Sequence, residues 1–360
     1  MNSAYIFVFI TSFIMLFLMR KVAQKIGLVD KPNARKLHQG AVPLVGGISV
    51  FLSLCVGGIL YLPMNLNLAL YLSCAGVLIV LGVLDDKFDL SFKIRLFVQA
   101  GISLSMIVIG GHSLHNLGYL MGSETIALGE VAGSIITIVA VIGAINAFNM
   151  VDGIDGLLGG LASVTFTALG VVFFTSDNEY LGTFCLLIVA ALIPYILLNL
   201  GFLFGKRYKI FMGDAGSMFI GFSVVWMLIR GTQEPNIDAF KPVTALWLIA
   251  LPLMDMATIM IRRMRKGHSP FKPDREHLHH ICQRIGLSSR MTLLVICSLA
   301  IVCAAFGIWA DIHDVTESTM FIAFLVLFAV YFTAISHIWR ITTWVNKLLG
   351  RQQVQEEVHQ

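Results

Sequence analysis

Long apolar stretches separated by short polar segments run through almost the whole 360-residue chain. Eleven are long enough to consider as membrane crossings: 5–19, 43–62, 68–84, 96–110, 131–148, 156–174, 181–198, 217–229, 243–260, 291–310 and 319–337. A helix needs about 20 apolar residues to cross the hydrocarbon core, and several runs fall a little short of that. The pattern predicts an all-α, polytopic integral membrane protein with about 11 transmembrane helices. Gly153, Gly156, Gly159 and Gly160 lie in and just before the sixth run, where small residues let helices pack closely in lipid.

Composition agrees with this pattern. The chain is 57% hydrophobic and 13% charged, against about 25% charged residues in a soluble domain. The net charge of +4 becomes informative once the charges are placed. Arg20 and Lys21 follow the first apolar run, the reverse of the order in a cleaved signal peptide. This predicts an uncleaved first span with its N-terminus on the periplasmic side. With eleven spans, 23 of the 25 Lys and Arg residues then fall in inside segments, and Arg230 and Lys241 flank one outside loop. That asymmetry is what the positive-inside rule requires, and an error of one span would scramble it. The expected organisation is a single transmembrane catalytic domain over 1–350, with cytoplasmic loops at 85–95, 149–155, 199–216 and 261–290. A polar cytoplasmic tail follows at 351–360. Nothing in the charge pattern calls for a nucleic acid partner.

Cys55, Cys74, Cys185, Cys282, Cys297 and Cys303 are scattered, without a Cys-x-x-Cys pair. They read as apolar filler and not as a zinc ribbon or a disulfide framework. His112 and His115, in the outside loop 112–130, read as satisfied surface histidines.

Four polar motifs sit at span ends, and the topology brings all of them to the inside. Charge near lipid is costly unless it is used or paired. Asp85-Asp86 closes the third span. Adjacent carboxylates repel, so one tends to stay protonated unless a cation lies nearby; the plain alternative is a solvated helix end with Lys87 as partner. In Asn146-Ala-Phe-Asn149-Met-Val-Asp152-Gly-Ile-Asp155-Gly, three acceptors are spaced by three, and glycines let backbone approach a ligand. A capped turn between two spans is the plain alternative there. Phe211-Met-Gly-Asp214-Ala-Gly216-Ser217 opens the eighth span. Asp214 could serve only as an N-cap, or that helix N-terminus could take a phosphate. The longest inside loop carries Arg262, Arg263, Arg265, Lys266, Arg275, His277, His279 and His280. Its histidines suggest zinc at first, but closed zinc sites recruit thiols or a fourth ligand at helical spacing, and Cys282 is the only thiol near. Phosphates and sugar hydroxyls fit the loop better.

Hard oxygen donors with basic residues around them favour Mg²⁺ or Mn²⁺. Together with a diphosphate they make the usual equipment of phosphoryl transfer. No P-loop and no kinase motif set is present, which disfavours ATP-driven chemistry. A transporter remains the alternative outside enzymes; it predicts acids at mid-bilayer, where only Asp255 is found.

These motifs in this order, with Gly-Leu-Val-Asp-Lys-Pro-Asn near the N-terminus and Pro-Leu-Val-Gly-Gly entering the second span, resemble the polyprenyl-phosphate N-acetylhexosamine-1-phosphate transferases over the whole chain. Within that family the basic loop ending Asp-Arg-Glu-His-Leu-His-His looks more like the N-acetylglucosamine branch than the phospho-MurNAc-pentapeptide branch. The resemblance implies UDP-GlcNAc and undecaprenyl phosphate as substrates, undecaprenyl-diphospho-GlcNAc and UMP as products, and a role at the start of O-antigen or enterobacterial common antigen-type polysaccharide synthesis. It implies a bacterial inner-membrane enzyme with a cytoplasmic active site, in contact with membrane lipid, and it admits a homodimer. It assigns Asp214 and Asn149 to Mg²⁺, with Mn²⁺ a second candidate. Asp155, Phe211 and Asn199 fall on the nucleotide side, and His277, His279, His280 and Arg275 on the sugar and diphosphate. Lys93 is assigned to the lipid phosphate, and Asp85, Asp86 and Asp152 to catalysis. Direct displacement by the lipid phosphate is the expected mechanism, and a covalent aspartyl intermediate is its rival.

Overall fold

The computed structural model describes residues 2–31, 40–234, 237–269 and 277–337. Arg275 and the tail at 351–360 lie outside these residues. The described chain is helical apart from one two-stranded ribbon. The order is α1 (Asn2–Ile26), β1 (Val29–Asp30), β2 (Val42–Pro43), α2 (Gly46–Tyr61), α3 (Leu66–Phe88), α4 (Phe92–Val108), α5 (Glu130–Met150), α6 (Leu157–Thr175), α7 (Glu179–Asn199), α8 (Gly213–Gln233), α9 (Pro242–Leu248), α10 (Ala250–Arg265), α11 (Leu278–Arg284), α12 (Ser289–Ile312) and α13 (Glu317–Ser336). Among the described residues, eight helices are long and apolar enough to cross a membrane: α1, α3, α5, α6, α7, α8, α12 and α13. The bent pair α9–α10 makes a ninth if counted as one span. The helix α2 is apolar but only 16 residues long, and the 17-residue α4 carries Lys93 and Arg95 in its first turn. Every apolar run of the sequence falls on one of these helices or on the bent pair.

The outer helices show why the chain belongs in lipid. On α1, Ile6, Ile10, Ile14, Leu18, Val22 and Ile26 are exposed at every fourth position, whereas Ala4, Val8, Ser12 and Leu16 are buried. Residues four apart share a helix face, so α1 turns a branched aliphatic stripe outward and a smaller-residue stripe onto α2 and α7. Ser12 Oγ donates to the Ala191 carbonyl at 2.7 Å, satisfying a hydroxyl that would otherwise be orphaned in an apolar core.

The centre is α8, buried continuously from Ala215 to Gly231 and packed against α2, α3, α5 and α6. Its N-terminal end is crossed so closely that a Cβ on Gly47 of α2 would meet the Gly216 backbone. Only glycine permits that approach.

Polar clusters lie at both ends of the bundle. At one end Arg20 Nη2 donates to the Arg207 carbonyl at 2.6 Å, and the ends of α3, α5, α7 and α10 gather around the start of α8. At the other end Gln233 Oε1 accepts from the His115 and Asn116 amides, and Thr244 Oγ1 donates to Asp311 at 2.8 Å.

Two sequence expectations are corrected. The ninth apolar run is not one straight helix: α9 and α10 meet at an 82° bend. Pro252, in the first turn of α10, has no N–H to offer the Leu248 carbonyl, and its ring would collide with that carbonyl in a continuous helix. His112 is not a surface histidine. It is 6% exposed, contacts Asn67 Oδ1 at 3.1 Å and meets Trp226 edge-on at 4.9 Å. Burial, with Arg230 nearby, lowers its pKa to about 4 and keeps the ring neutral.

Candidate active site

The site is assembled around the first turn of α8. Backbone bonds bind the strand-like Pro43–Gly46 segment to Phe211: Phe211 N–H donates to Pro43 O and Gly46 N–H to Phe211 O, both at 2.9 Å. The Pro-Leu-Val-Gly-Gly motif thus supports the Phe-Met-Gly-Asp motif. The orphan N–H groups that open α8 are met by a neighbouring helix. Asp86, near the end of α3, accepts from Asp214 N–H at 2.9 Å and from Ala215 N–H at 3.4 Å. At the end of α5, Asn149 Nδ2 donates to Asp214 Oδ1 at 2.8 Å and to Ser217 Oγ at 2.7 Å. Among the described residues, Asn149 Oδ1 and Asp214 Oδ2 are left over as oxygen donors.

The Asp85-Asp86 pair is split. Asp85, 6% exposed, bonds Arg95 Nη1 at 2.8 Å and accepts the Leu90 amide at 2.9 Å. Each carboxylate has its own donors: Arg95 and the Leu90 amide for Asp85, the α8 amides for Asp86. Lys87 is not the partner; its ammonium lies over the Phe88 ring. Arg95 lines the central cleft, while Lys93 is exposed and is not among its lining residues.

Asp152 and Asp155 follow α5 on a tight turn. Asp155 pairs with Lys209 Nζ at 2.6 Å, and that ammonium sits 5.1 Å from the Phe211 ring centre. Asp155, Lys209 and Phe211 form one group beside the cleft. Asn199 holds the group together from beneath. It is 2% exposed, accepts the Gly156 amide at 2.5 Å and donates to Ile210 O at 2.8 Å. Both ends of its amide are committed to backbone. Asp152 is solvent-exposed on that turn but crowded by surrounding protein. This desolvation, reinforced by Asp214 and Asp155, pushes its carboxyl up to about 7.

The opposite wall comes from α10 and α11. His277 and His279 stack with rings 5.7 Å apart and nearly parallel, and His280 lies 4.2 Å from His279. His279 is buried under the Asp152-Gly153 turn, where a Cβ on residue 153 would collide with its ring. Gly153 is therefore the seat of His279. Burial and the two neighbouring imidazoles lower the His279 pKa to about 3, so it stays neutral. A cleft of about 320 Å³ lies between the walls, lined by Phe92, Arg95, Asn146, Asn149, Met150, Gly153, Asp214, Arg263 and the three histidines.

The structure thus brings Asp214, Asn149, His277, His279 and His280 together, with Asp85 and Asp86 directly behind the lining. Asp155, Phe211 and Asn199 form an adjoining group. Arg263, one of the basic loop residues, lines the cleft, and so does Arg95, while Lys209 stands beside it; the sequence reading singled out neither Arg95 nor Lys209. The sequence signal for them was weak, because a basic residue at an inside span end also serves topology.

The donor set suits a hard divalent cation. Mg²⁺ is usually held by one or two carboxylates plus substrate phosphates and waters. Asp214 and Asn149 offer two such oxygens, and among the described residues no three His, Cys, Asp or Glu side chains converge into a closed cage. The crowding of Asp86, Asp152 and Asp214 leaves negative charge that a cation would offset.

A model of the family described as glycosyl transferase family 4 matches residues 68–232, from α3 to the last turn of α8. The undecaprenyl-phosphate alpha-N-acetylglucosaminyl 1-phosphate transferase of Salmonella typhimurium strain LT2 is 50% identical over 356 residues, covering 98% of this chain and 95% of the relative. Its namesake from Yersinia pestis is 48% identical, covering 98% of this chain and 96% of the relative. The namesake from Haemophilus influenzae is 47% identical, covering 95% and 96%.

Proposed function

The chain belongs to glycosyl transferase family 4, and from that premise we propose that it transfers N-acetylglucosamine 1-phosphate from UDP-GlcNAc to undecaprenyl phosphate, releasing UMP. The observation that carries the reading is the cleft itself. It combines oxygen donors for a cation, two guanidinium groups and imidazoles at one end of an apolar bundle, beside an acid–lysine–aromatic group suited to a nucleoside. The relatives named for this reaction match nearly end to end.

In this reading the chain crosses the inner membrane eleven times, with its N-terminus in the periplasm and C-terminus in the cytoplasm. Support comes from eleven helical crossings, if α2, α4 and the α9–α10 pair each count as one, and from the inside bias of Lys and Arg. The cleft then opens to the cytoplasm, where UDP-sugars are made, and near the lipid-facing helices that the acceptor's tail requires. The product is the starting lipid for O-antigen-type polysaccharides.

The uracil stacks on Phe211 and bonds Asp155, with Lys209 steering both; Asn199 keeps that group in place. Asp214 and Asn149 would hold Mg²⁺, and Mn²⁺ would suit the same oxygen donors. When bound, the ion offsets diphosphate charge and stabilises departing UMP. Arg263, His277 and His280 face the diphosphate and sugar from the opposite wall, while neutral His279 supports the turn that carries Asp152. Arg95 takes the acceptor phosphate. Its guanidinium has five N–H donors, so it can keep Asp85 as an anchor while it binds a second anion. An oxygen of the lipid phosphate then attacks the phosphorus bonded to the sugar. Asp152, with a carboxyl near neutrality, is matched to taking the acceptor's residual proton. A phosphate monoester has its second pKa near 6, so this help is small at neutral pH.

The test is UMP release by purified protein given UDP-GlcNAc and undecaprenyl phosphate with Mg²⁺. Turnover should require both substrates. Turnover with UDP-MurNAc-pentapeptide but not UDP-GlcNAc would contradict the donor assignment. A phosphorylated protein trapped with UDP-GlcNAc alone would contradict direct displacement.

A further inference from the structure

Asp255 is the one acid that the sequence pattern sets well inside a span and that the reading above leaves without a task. It lies in the second turn of α10, 3% exposed, just past the 82° break. A carboxylate in such surroundings is costly unless fully bonded. Three donors converge on it. His277 Nδ1 lies 2.7 Å from Oδ2, Leu278 N–H donates to Oδ1 at 3.0 Å, and the Tyr331 hydroxyl of α13 donates to Oδ1 at 2.8 Å. Leu278 is the first residue of α11, so Asp255 also holds the N-terminus of the helix that carries His279 and His280.

We propose that Asp255 is a positioning residue for the transfer reaction: it pins the His277 ring and the start of α11, so that the histidine wall faces the diphosphate cleft. The proposal rests on the phosphotransfer reading given above. An ionised carboxylate only accepts hydrogen bonds, so the proton between the pair sits on His277 Nδ1. The other ring nitrogen, Nε2, is then left to the cleft that His277 lines, with its direction fixed. Tyr331 holds the second edge of the carboxylate, which ties the wall to α13. A group fixed from behind in this way loses less freedom when substrate binds, the same logic by which outer carboxylates orient metal-binding histidines. The bend at Ile249 gives the arrangement its place. A straight ninth span would carry Asp255 along a different axis from the one that α10 follows to His277.

Asp255→Asn is the informative variant. Its carbonyl oxygen still accepts from Leu278 and Tyr331, but its NH₂ faces Nδ1 and moves the imidazole proton to Nε2. Turnover with UDP-GlcNAc and undecaprenyl phosphate should fall at least tenfold. In a His277→Ala background the same change should cost nothing further, because it acts through the absent ring. Tyr331→Phe, which removes one donor of three, should cost less than Asp255→Asn. A full tenfold loss repeated in the His277→Ala background would overturn the proposal, as would normal turnover by Asp255→Asn.

A second measurement is independent of turnover. In full-length wild-type protein labelled with ¹⁵N-histidine in lipid nanodiscs, the His277 signal, identified by its loss in His277→Ala, should carry a proton on Nδ1. A bare Nδ1 would overturn the pairing. A wild type that releases no UMP but shows the Nδ1 proton sinks the phosphotransfer reading and with it the task given to Asp255. A wild type that turns over while Asp255→Asn matches it sinks only this inference.

Discussion

Adjacent Asp85 and Asp86 look interchangeable in the sequence, yet one caps α8 and the other anchors Arg95. The motif was legible; the division was not, because it depends on which neighbouring helix supplies the donors. The same holds for the proposed lipid-phosphate residue. Lys93 and Arg95 are two apart on a helix, so they point in different directions, and only packing decides which faces the cleft. Gly153 is a clearer case: its partner is His279, 126 positions away in the chain, so no local pattern reveals why it must be glycine. At this scale Asp214→Asn should cut turnover at least a thousandfold and weaken Mg²⁺-dependent binding of UDP-GlcNAc in calorimetry; near-normal activity would refute its place at the cation. Asp152 supplies a pH test. Its folded carboxyl titrates near 7 against an ordinary 3.8. The folded protein therefore holds that proton more tightly than the unfolded chain, and the stabilisation is complete below about pH 4 and lost as pH rises through 7. Without Mg²⁺, thermal unfolding of the wild type should drop across that window, and Asp152→Asn should show a shallower drop.

The helices themselves were readable, because each apolar run is a simple consequence of burying backbone in lipid. The break in the ninth run has a signal in the sequence too, Pro252 in the middle of that run. The depth at which α2, α3 and α8 interlock was not. It depends on Gly47, Gly82, Ala215 and Gly216 coming together from three separate helices. Gly47→Val should push the start of α8 away, costing both stability and turnover; overpacking of this kind typically costs about 1–3 kcal/mol. Gly101→Val on α4, where a Cβ would meet nothing within 4 Å, should leave the unfolding temperature within a few degrees of wild type. Equal effects of the two substitutions would show that the α2–α8 crossing does not position the site.

For the whole molecule, the charge asymmetry along the chain and the clustering of acidic motifs at one end of the bundle are separate observations that the proposed cytoplasmic active site joins. Single cysteines introduced into a version lacking the six native ones test it. Ser123→Cys should react with an impermeant maleimide in intact cells, and Gly267→Cys only after the cells are opened; the reverse pattern would invert the topology. The group moved is the sugar with its phosphate, and a label on that phosphorus follows it. With UDP-GlcNAc labelled by ³²P on the phosphate bonded to the sugar, purified protein and undecaprenyl phosphate should carry the label into the lipid phase and leave UMP unlabelled. Label remaining in water as UDP, with sugar alone in the lipid, would show that the sugar moves without its phosphate.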